Sequence, residues 1–529
     1  MRQFRISVAV VCLAGVLCAQ SSVHNVAKPP GTLPPSKPPS PVNPDLPTAP
    51  AEGMDHLVKQ FVDTLALVQE QGAEPVPLDK MIYEGAIPSM LRQLDPHTQF
   101  FDPAQFQQLK QMEVSEQKGF GSVVSVLPGQ VIFLQTLPGT PSNKAGIQPG
   151  DELVAINNIA IGRLEPEQIV QLLTEARQQR VTAYIRRQGS ARLLSFILTP
   201  ELVDAPSVDR SFLLAPGYGY IRVASWDLQT AGQLQAAIEK LGGNSLKGLV
   251  LDLRNNPGGI VKAALDAAAL FLEPGQKILT VKGRFGEGEA ENVPKYAKPY
   301  QFRMAVIVNS KTASASEILA GALQDHDRAT IVGEPSYGKG LVQSVLPLSN
   351  GAGLAITTAF YYTPSGRSIQ HPLQNSALSD TFQAVRDRPR FLTDHGRTVL
   401  GGGGIQPDVT VQPYSPDRLE EVIDNSASVT NFATQYLQSH PAVPSSFEVT
   451  PEIIDEFEVF LASRNIQPSL SEWTAERAWI TSRLKEEIVT QAHGVASGDE
   501  IALHRDPQVK AALNAVEEVQ TAAVNKPAN

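Results

Sequence analysis

Apolar strand patterns alternate with helical patterns from about residue 217 onwards, and this alternation constrains the fold more than any other feature of the 529-residue chain. Strand patterns cover 218–223, 248–253 and 304–308, and helical patterns cover 230–241, 261–271 and about 316–323. Strands that alternate with helices are typical of a layered α/β core. We therefore predict such a core over residues 201–415.

The regions on either side of the predicted core have different patterns. Apolar residues recur at spacings of three and four over 51–112 and again over 416–529, which predicts helices. Between the first of these regions and the core, residues 113–200 carry short apolar runs and one helical pattern near 165–176. The predicted fold class is an α/β (α+β) multidomain protein, in which a small domain precedes a layered strand-helix core and both terminal segments are helical.

The first fifty residues are typical of an export signal followed by a linker. Arg2 and Arg5 precede an apolar run over 6–19, which at a rise of about 1.5 Å per residue is too short to cross a bilayer. A signal peptide over 1–19 is the interpretation that fits, and it predicts a periplasmic or secreted protein. An uncleaved signal would leave the protein tethered to a membrane. Ten prolines between residues 20 and 50 predict an extended, Pro-rich linker.

Charge and composition exclude several classes of function. The chain has 44 basic and 54 acidic residues, a formal net charge of −10, whereas a nucleic-acid binder presents a basic face. Both cysteines, Cys12 and Cys18, lie in the predicted signal, so neither a disulfide framework nor a cysteine zinc site is expected. The histidines have no metal-binding spacing. We expect no metal, no cofactor, no nucleic-acid partner and no membrane span in the mature chain.

The first candidate for chemistry is Ser314, at the junction between the strand pattern 304–308 and the helix that follows. A serine there would lie beside free main-chain N–H groups and the positive end of the helix dipole, which favour developing negative charge. The N–H of Ala315 is a natural donor to an oxyanion. The competing interpretation is structural, because Ser314 and Glu317 also have the Ser-x-x-Glu pattern of a helix capping box.

The second candidate is Lys339, which lies between two glycines and leads into an apolar strand pattern over 341–346. A lysine amine in a dry cleft can lose its proton and act as a general base for a serine without a histidine. The competing interpretation is an exposed lysine in a glycine-rich turn. A phosphate-binding P-loop is excluded, because no Ser or Thr follows the lysine.

Two glycine-containing turns are further candidates. The turn 252–259, with the sequence DLRNNPGG, ends a buried strand pattern, and its glycines let main-chain N–H groups approach a ligand closely. The segment 119–122, with the sequence GFGS, precedes a strand pattern and can offer successive N–H groups to a carboxylate. A peptide bound there would add to the sheet as an extra strand.

Together these motifs resemble the C-terminal processing (tail-specific) serine peptidases. The resemblance covers about residues 54–412 and rests on ordered segments: LDPHT at 94–98, DLRNNPGG at 252–259, ASASEI at 313–318, GKG at 338–340, YTPSGRSI at 362–369 and GIQPD at 404–408. Residues 113–200 lie where that family has a PDZ domain. Residues 370–403 are an insertion relative to the family pattern, and 416–529 also extend beyond it.

The resemblance implies a serine endopeptidase with a Ser-Lys dyad that a glutamine assists. Ser314 and Lys339 are 25 positions apart, which is the family's spacing and selects Ser314 rather than Ser316 as the nucleophile. Lys339 would be the base, and Gln343 would orient its amine.

The resemblance also implies binding groups around the dyad. The N–H of Ala315 would form an oxyanion hole with the N–H of either Gly258 or Gly259. The PDZ loop, which consists of Phe120, Gly121 and Ser122, would capture the free C-terminus of a protein or peptide substrate.

Other interpretations remain open. Ser336 and Lys339 form a Ser-x-x-Lys pattern similar to that of penicillin-recognising acylases, although that motif expects its serine at the start of a helix. A histidine triad would use His97 or His326. The alternative that involves no enzyme is a catalytically silent PDZ adaptor, which would bind peptides without turnover. The helical segment 416–529 is interpreted as a cap or as an oligomerisation element of a homo-oligomer.

Overall fold

The computed structural model describes residues 54–111, 116–284, 288–371 and 388–517. The predicted signal peptide and Pro-rich linker lie outside these residues, as does part of the insertion. Within the described residues the predicted α/β (α+β) fold class is confirmed.

The N-terminal segment is helical apart from one short strand. Its elements are α1 (Met54–Gln71), α2 (Leu78–Lys80), a π-helical turn (Met81–Ala86), α3 (Ile87–Leu91), β1 (Gln99–Phe101) and α4 (Pro103–Gln111). The helical pattern ends before Asp95 because Pro96 disfavours a helical backbone at the residue that precedes it.

A small β domain follows. Its elements are β2 (Glu116–Gly119), β3 (Ser122–Leu127), β4 (Gln130–Thr136), α5 (Pro141–Ala145), β5 (Glu152–Ile156), β6 (Ile159–Ala160), α6 (Pro166–Ala176), β7 (Val181–Arg186), β8 (Leu194–Leu198) and β9 (Glu201–Asp204). The antiparallel sheet has the strand order β3-β4-β5-β7-β8, while β2 pairs with β9 where the chain enters and leaves the domain. Along β7 every second side chain is buried, as one covered sheet face requires.

The core contains two sheets and a short hairpin. Its elements are β10 (Val208–Ala215), β11 (Tyr218–Val223), α7 (Thr230–Leu241), β12 (Gly248–Asp252), α8 (Val261–Ala268), β13 (Lys277–Gly283), β14 (Glu289–Asn292), β15 (Arg303–Val308), α9 (Ala315–Asp325), β16 (Thr330–Gly333), β17 (Leu341–Pro347), β18 (Gly353–Tyr362), β19 (Arg390–Leu392), β20 (Thr398–Leu400) and β21 (Val409–Thr410). The hairpin β19–β20 lies within the insertion.

The central sheet has the strand order β10-β11-β12-β15-β16-β21 and is parallel except for the β10–β11 pair. Every residue of β12 is buried, because elements cover both faces of the sheet. The carboxyl ends of β12 and β15 lead into the two turns that hold the candidate catalytic groups.

The second sheet holds the lysine segment. It contains β13, β14, β17 and β18, and β1 from the N-terminal segment extends it through antiparallel pairing with β18. In this pairing Gln99 lies opposite Ala355, so the N-terminal segment is joined to the core by main-chain hydrogen bonds.

The C-terminal segment is helical: α10 (Arg418–Asn425), α11 (Ser428–Ser439), α12 (Pro451–Ser463), α13 (Leu470–His493), α14 (Val495–Leu503) and α15 (Pro507–Glu517). Val509, Ala512 and Val516 of α15 pack against the face of the central sheet opposite α7–α9, which gives the core three layers. Among the described residues, no helix has both the length and the apolar character that a bilayer crossing demands.

Candidate active site

Ser314 lies immediately before α9, where β15 leads into that helix. It is 1% exposed, and its backbone has φ 54° and ψ −117°. Positive φ is strained for a serine, and strain of this kind persists only where surrounding contacts hold it. The carbonyl oxygen of Ser314 accepts hydrogen bonds from the N–H groups of Glu317 and Ile318, at 2.8 and 3.0 Å. The first turn of the helix therefore fixes the strained residue.

The buried carboxylate of Glu317 joins the serine segment to the lysine segment. On Oε2 it accepts the N–H of Ser314 at 2.8 Å and the N–H of Lys339 at 2.9 Å. On Oε1 it accepts the N–H of Gly338 at 2.7 Å and the hydroxyl of Ser336 at 2.5 Å. Burial raises the pKa of Glu317, and these four donors act in the opposite direction. The Ser-x-x-Glu pattern therefore caps the helix and also anchors the lysine loop.

Lys339 is buried, with 1% of its surface exposed, so the interpretation as an exposed lysine in a turn is wrong. Its Nζ donates to Oε1 of Gln343 at 3.3 Å, and Nε2 of Gln343 donates to the carbonyl oxygen of His97 at 2.6 Å. Gly338 has φ 85°, and a Cβ there would lie 2.2 Å from the ring of His371. Only glycine therefore fits at position 338, directly before Lys339.

The turn 252–259 lies directly against the serine. Asn256 is buried, and its Oδ1 accepts the N–H of Gly258 at 2.9 Å while its Nδ2 donates to the Val223 carbonyl at 2.8 Å. A Cβ on Gly258 would lie 2.9 Å from Cβ of Ser314 and 3.2 Å from the nitrogen of Ala315. The close contact between these two turns therefore depends on glycine at position 258.

Two N–H groups near Ser314 remain available for an oxyanion. Of the two glycines that the sequence offers, Gly258 already donates its N–H to Oδ1 of Asn256. In the described part of the chain, neither Gly259 nor Ala315 donates its N–H to another group. An oxyanion hole requires main-chain N–H groups that have no other acceptor, and these two amides meet that condition.

Sequence reasoning missed Trp226, and it missed the structural role of Ser316. Nε1 of Trp226 donates to Oγ of Ser316 at 2.8 Å, and Oγ of Ser316 donates to the Asn256 carbonyl at 3.3 Å. The main chain of Trp226 also bonds to Gly258 and Ile260, on either side of Gly259. The hydroxyl of Ser316 is therefore engaged in holding the turn 252–259. No sequence pattern identifies Trp226, since its partners lie 32 to 90 positions away.

Phe120 and Gly121 lie between β2 and β3 of the small β domain, and Ser122 is the first residue of β3. Gly121 has φ 71°, and a Cβ there would lie 2.2 Å from Cβ of Thr140. The hydroxyl of Ser122 donates to Oγ of Ser142 at 2.6 Å, and the carbonyl oxygen of Phe120 accepts the N–H of Ser142 at 2.9 Å. The loop is thus fixed by the start of α5, next to the strand β3.

Two of the alternative catalytic groups, Ser336 and His326, do not have the required surroundings. Ser336 lies between β16 and β17 rather than at a helix start, and its hydroxyl accepts the Ile405 N–H at 2.6 Å. His326 lies at the C-terminal end of α9, opposite the end that Ser314 precedes, and its ring is bonded to Asp394 and to the Lys277 carbonyl. His97 reaches the site through its main-chain carbonyl. No group of three or more metal-ligating side chains occurs among residues that the structure describes.

The turn 252–259 is anchored from behind by the C-terminal helices. Arg254 pairs with Asp252 at 2.6 Å and also with Asp506 at 2.6 Å, just before α15. Burial acts to raise the pKa of Asp252, but the charge and hydrogen bonds of Arg254 hold this pKa below its ordinary value. Part of the segment 416–529 therefore braces the turn that carries Gly258 and Gly259.

The insertion contacts the chain just after α9 and also contacts the loop that carries Lys339. Arg397, next to β20, pairs with Asp327 and Asp408, each at 2.5 Å. At the other end, the N–H of His371 donates to the Gly338 carbonyl at 2.9 Å, beside the lysine. Residues 372–387 of the insertion lie outside the described residues.

The core and the small β domain each match a known protein family. The model of peptidase family S41 matches residues 217–376, and a PDZ domain model matches residues 133–187. The carboxyl-terminal-processing protease of Synechocystis sp. is 36% identical over 294 residues, which cover 54% of this chain and 67% of that protein. The carboxy-terminal-processing protease of Bartonella bacilliformis is 34% identical over 304 residues, which cover 56% of this chain and 68% of that protein.

A solved structure of a photosystem II D1 C-terminal processing protease aligns with 25% sequence identity and a TM-score of 0.38, covering 70% of this chain and 96% of that one. The family matches and the two relatives define a serine-type peptidase with a PDZ domain. The chain belongs to peptidase family S41 and is a protease of the carboxyl-terminal-processing type.

Proposed function

We propose that this protease cleaves peptide bonds with Ser314 as nucleophile and Lys339 as general base. The observation that carries the proposal is the shared carboxylate of Glu317, which accepts the main-chain N–H of both residues and so brings the two segments together. Ser314 lies at a helix N-terminus, and the buried amine of Lys339 is hydrogen-bonded to Gln343. No histidine is needed in this arrangement, since an uncharged lysine amine can accept the serine proton.

The reaction proceeds in two halves. Oγ of Ser314 attacks the carbonyl carbon of the scissile bond while Nζ of Lys339 takes the hydroxyl proton, and this proton passes to the leaving amine as the C–N bond breaks. An acyl-enzyme ester on Ser314 remains. Water then attacks the ester, Lys339 accepts the proton from this water, and the proton returns to Oγ when the carboxylate product departs. Gln343 orients the amine in both halves.

The N–H groups of Ala315 and Gly259 form the proposed oxyanion hole. Both lie in turns that contact Ser314, and both are free of other acceptors among the described residues. Donors fixed before the reaction stabilise the charge that develops on the carbonyl oxygen without a reorganisation cost. Gly258 has a different role, because its N–H is bonded to Asn256.

The proposed class of substrate is inferred from the PDZ domain. Phe120, Gly121 and Ser122 lead into β3, so a peptide that places its terminal carboxylate on this loop would add beside β3 as a further strand. The substrates are proteins or peptides with free C-termini. An anchored tail delivers the segment upstream of it to Ser314.

The proposed organisation follows the sequence boundaries. It comprises a signal peptide over 1–19, a linker over 20–50, a helical region over 51–112, a PDZ domain over 113–200, a peptidase core over 201–415 and a helical region over 416–529. The signal places the protease in the periplasm or outside the cell, and the helical region 416–529 is proposed to cap the core or to form a homo-oligomer.

The test uses a fluorogenic peptide with an apolar free C-terminus, together with the same peptide carrying a C-terminal amide. We expect Ser314→Ala and Lys339→Ala to abolish cleavage, whereas Ser316→Ala should only lower it, because the Ser316 hydroxyl holds the turn 252–259 and does not react. The amide should be cleaved less efficiently, through a higher KM, because the PDZ loop loses its carboxylate. Full activity of Ser314→Ala would overturn the nucleophile assignment, and tight peptide binding without fragments in mass spectrometry of the wild type would favour the silent adaptor.

A further inference from the structure

The carbonyl oxygen of His97 fixes the orientation of the Gln343 side chain. A carbonyl oxygen can only accept a hydrogen bond, so Gln343 must turn its NH₂ group towards His97, as the 2.6 Å contact shows. Oε1 of Gln343 then points to the Lys339 amine, which lies 3.3 Å away. If the amide rotated by half a turn, it would present its NH₂ group to the amine and lose both contacts.

The turn that presents this carbonyl is held by a buried carboxylate. Asp95 is 1% exposed, and its Oδ1 accepts the N–H groups of His97 and Thr98 at 2.7 and 2.9 Å. Its Oδ2 accepts the hydroxyl of Thr98 at 2.6 Å. Three donors on one carboxylate give the turn 95–98 a single conformation.

Thr98 also ties this turn to the strand pair that carries Gln343. Its Oγ1 accepts the N–H of Thr357 at 3.2 Å, and Thr357 of β18 lies directly opposite Gln343 of β17. The contacts therefore form a closed ring that runs from Asp95 through Thr98, Thr357 and Gln343 to His97. The two ends of the His97–Gln343 hydrogen bond are 246 positions apart in the chain.

We propose that Asp95 and Thr98 are positioning residues, which act on the Lys339 amine through the His97 carbonyl and the Gln343 side chain. This inference rests on the proposed function, in which Lys339 is the base. It makes the segment upstream of the PDZ domain a part of the catalytic apparatus, although no side chain of that segment reacts.

The decisive experiment is a double-mutant cycle between Thr98→Val and Gln343→Ala, measured with the peptide of free apolar C-terminus. Valine keeps the shape of threonine but removes the hydroxyl. We expect Thr98→Val to lower kcat about tenfold, which corresponds to about 1.4 kcal/mol, with KM unchanged. Added to Gln343→Ala, it should cause no further loss, because the residue through which it acts is already absent. Thr98→Ser should restore kcat.

Two controls separate positioning from loss of structure. Thr490→Val removes a buried hydroxyl from α13, where Thr490 donates to the Glu486 carbonyl, and it should leave kcat unchanged. If Thr98→Val does not fold, as judged by thermal melting, Asp95→Asn replaces it in the cycle, since it weakens the same turn by removing the charge.

Three results would overturn the inference: losses in Thr98→Val and Gln343→Ala that multiply, an effect on KM alone, or an unchanged kcat in a folded Thr98→Val protein. The proposed function is contradicted by a different result, namely activity of the Ser314→Ala variant. An inactive Ser314→Ala together with multiplying losses would therefore refute the positioning role alone.

Discussion

The carboxylate of Glu317 accepts the main-chain N–H of Lys339 at 2.9 Å, across 22 positions of sequence. The same oxygen accepts the N–H of Ser314, so one side chain sets the register between the proposed nucleophile and the proposed base. Glu317 therefore has a second role besides capping α9, because it also binds the main chain of the loop that carries Lys339.

Glu317→Gln should lower kcat by about a hundredfold, since an amide offers one acceptor oxygen to four donors and directs its own N–H groups at two of them. The matched control is Glu420→Gln. Glu420 is also buried in a capping box, at the start of α10, and it accepts the N–H of Asp417. Steady-state kinetics and thermal melts of both variants provide the measurement. Equal loss of activity in the control would contradict a specific role for Glu317.

Gly258→Ala should abolish activity while the protein remains folded. The added Cβ would lie 2.9 Å from Cβ of Ser314, and φ at this position is 103°. Gly275→Ala is the control, because φ there is 86° and no atom lies within 4 Å of the added Cβ. The control therefore reports the backbone strain alone, about 1 kcal/mol of stability. Reaction of Ser314 with a fluorophosphonate probe, detected by mass spectrometry, measures the site directly.

His97→Asn should retain kcat, because the group that binds Gln343 belongs to the main chain. The substitution should still change how stability depends on pH. Burial lowers the pKa of His97 below 6.5, and Lys339 lowers it further when its amine is protonated, while Asp95 acts in the opposite direction. The unfolded chain therefore binds more protons as the pH falls through 6.5, and the wild type is destabilised by acid. Thermal melts should cover about pH 8 to 5, the range in which histidine titrates. Over this range the melting temperature should fall less for His97→Asn than for the wild type.

An inactive His97→Asn protein that remains folded would instead support the histidine-triad alternative. His326→Asn is the companion variant, and it should also retain kcat because His326 lies at the far end of α9.

Arg254→Met should destabilise the protein by about 3–5 kcal/mol, because it leaves the buried carboxylate of Asp252 without its charged partner. Arg418→Met removes an exposed pair with Glu472 and should leave the stability nearly unchanged, because water screens such a pair. Urea unfolding of both variants gives the difference. Similar midpoints in the two variants would show that the link between the turn 252–259 and the C-terminal helices contributes little.

The sequence was sufficient to predict the elements whose patterns are local. The helix predicted over 230–241 has the bounds of α7, and the helix predicted near 316–323 extends by one or two residues at each end in α9. The helix predicted over 261–271 ends earlier, at Ala268, where the chain tightens into a turn before β13. Ser314 and Lys339 were identified by motif and spacing, and their roles stay proposals.

What the sequence left open depends on contacts between distant segments. Gly258 and Gly259 are adjacent glycines with positive φ, and only the bond from Gly258 to Asn256 distinguishes them. Asp95 precedes a proline, as many turn residues do. Only the contacts of His97 and Thr98 with the strand pair β17–β18 distinguish its turn from an ordinary one. The residues around Lys339 also left its burial open, since glycines on both sides are as typical of exposed turns as of close packing.

The packing of α15 on the central sheet has a consequence for biosynthesis. Tyr220, Val250 and Ala305 form an apolar face that Val509, Ala512 and Val516 cover. Translation makes these covering residues after every strand of the sheet, so a nascent chain holds an uncovered sheet, and Arg254 has no Asp506, until α15 has been made. The brace on the turn 252–259 is therefore absent from a chain whose translation has not yet passed α15.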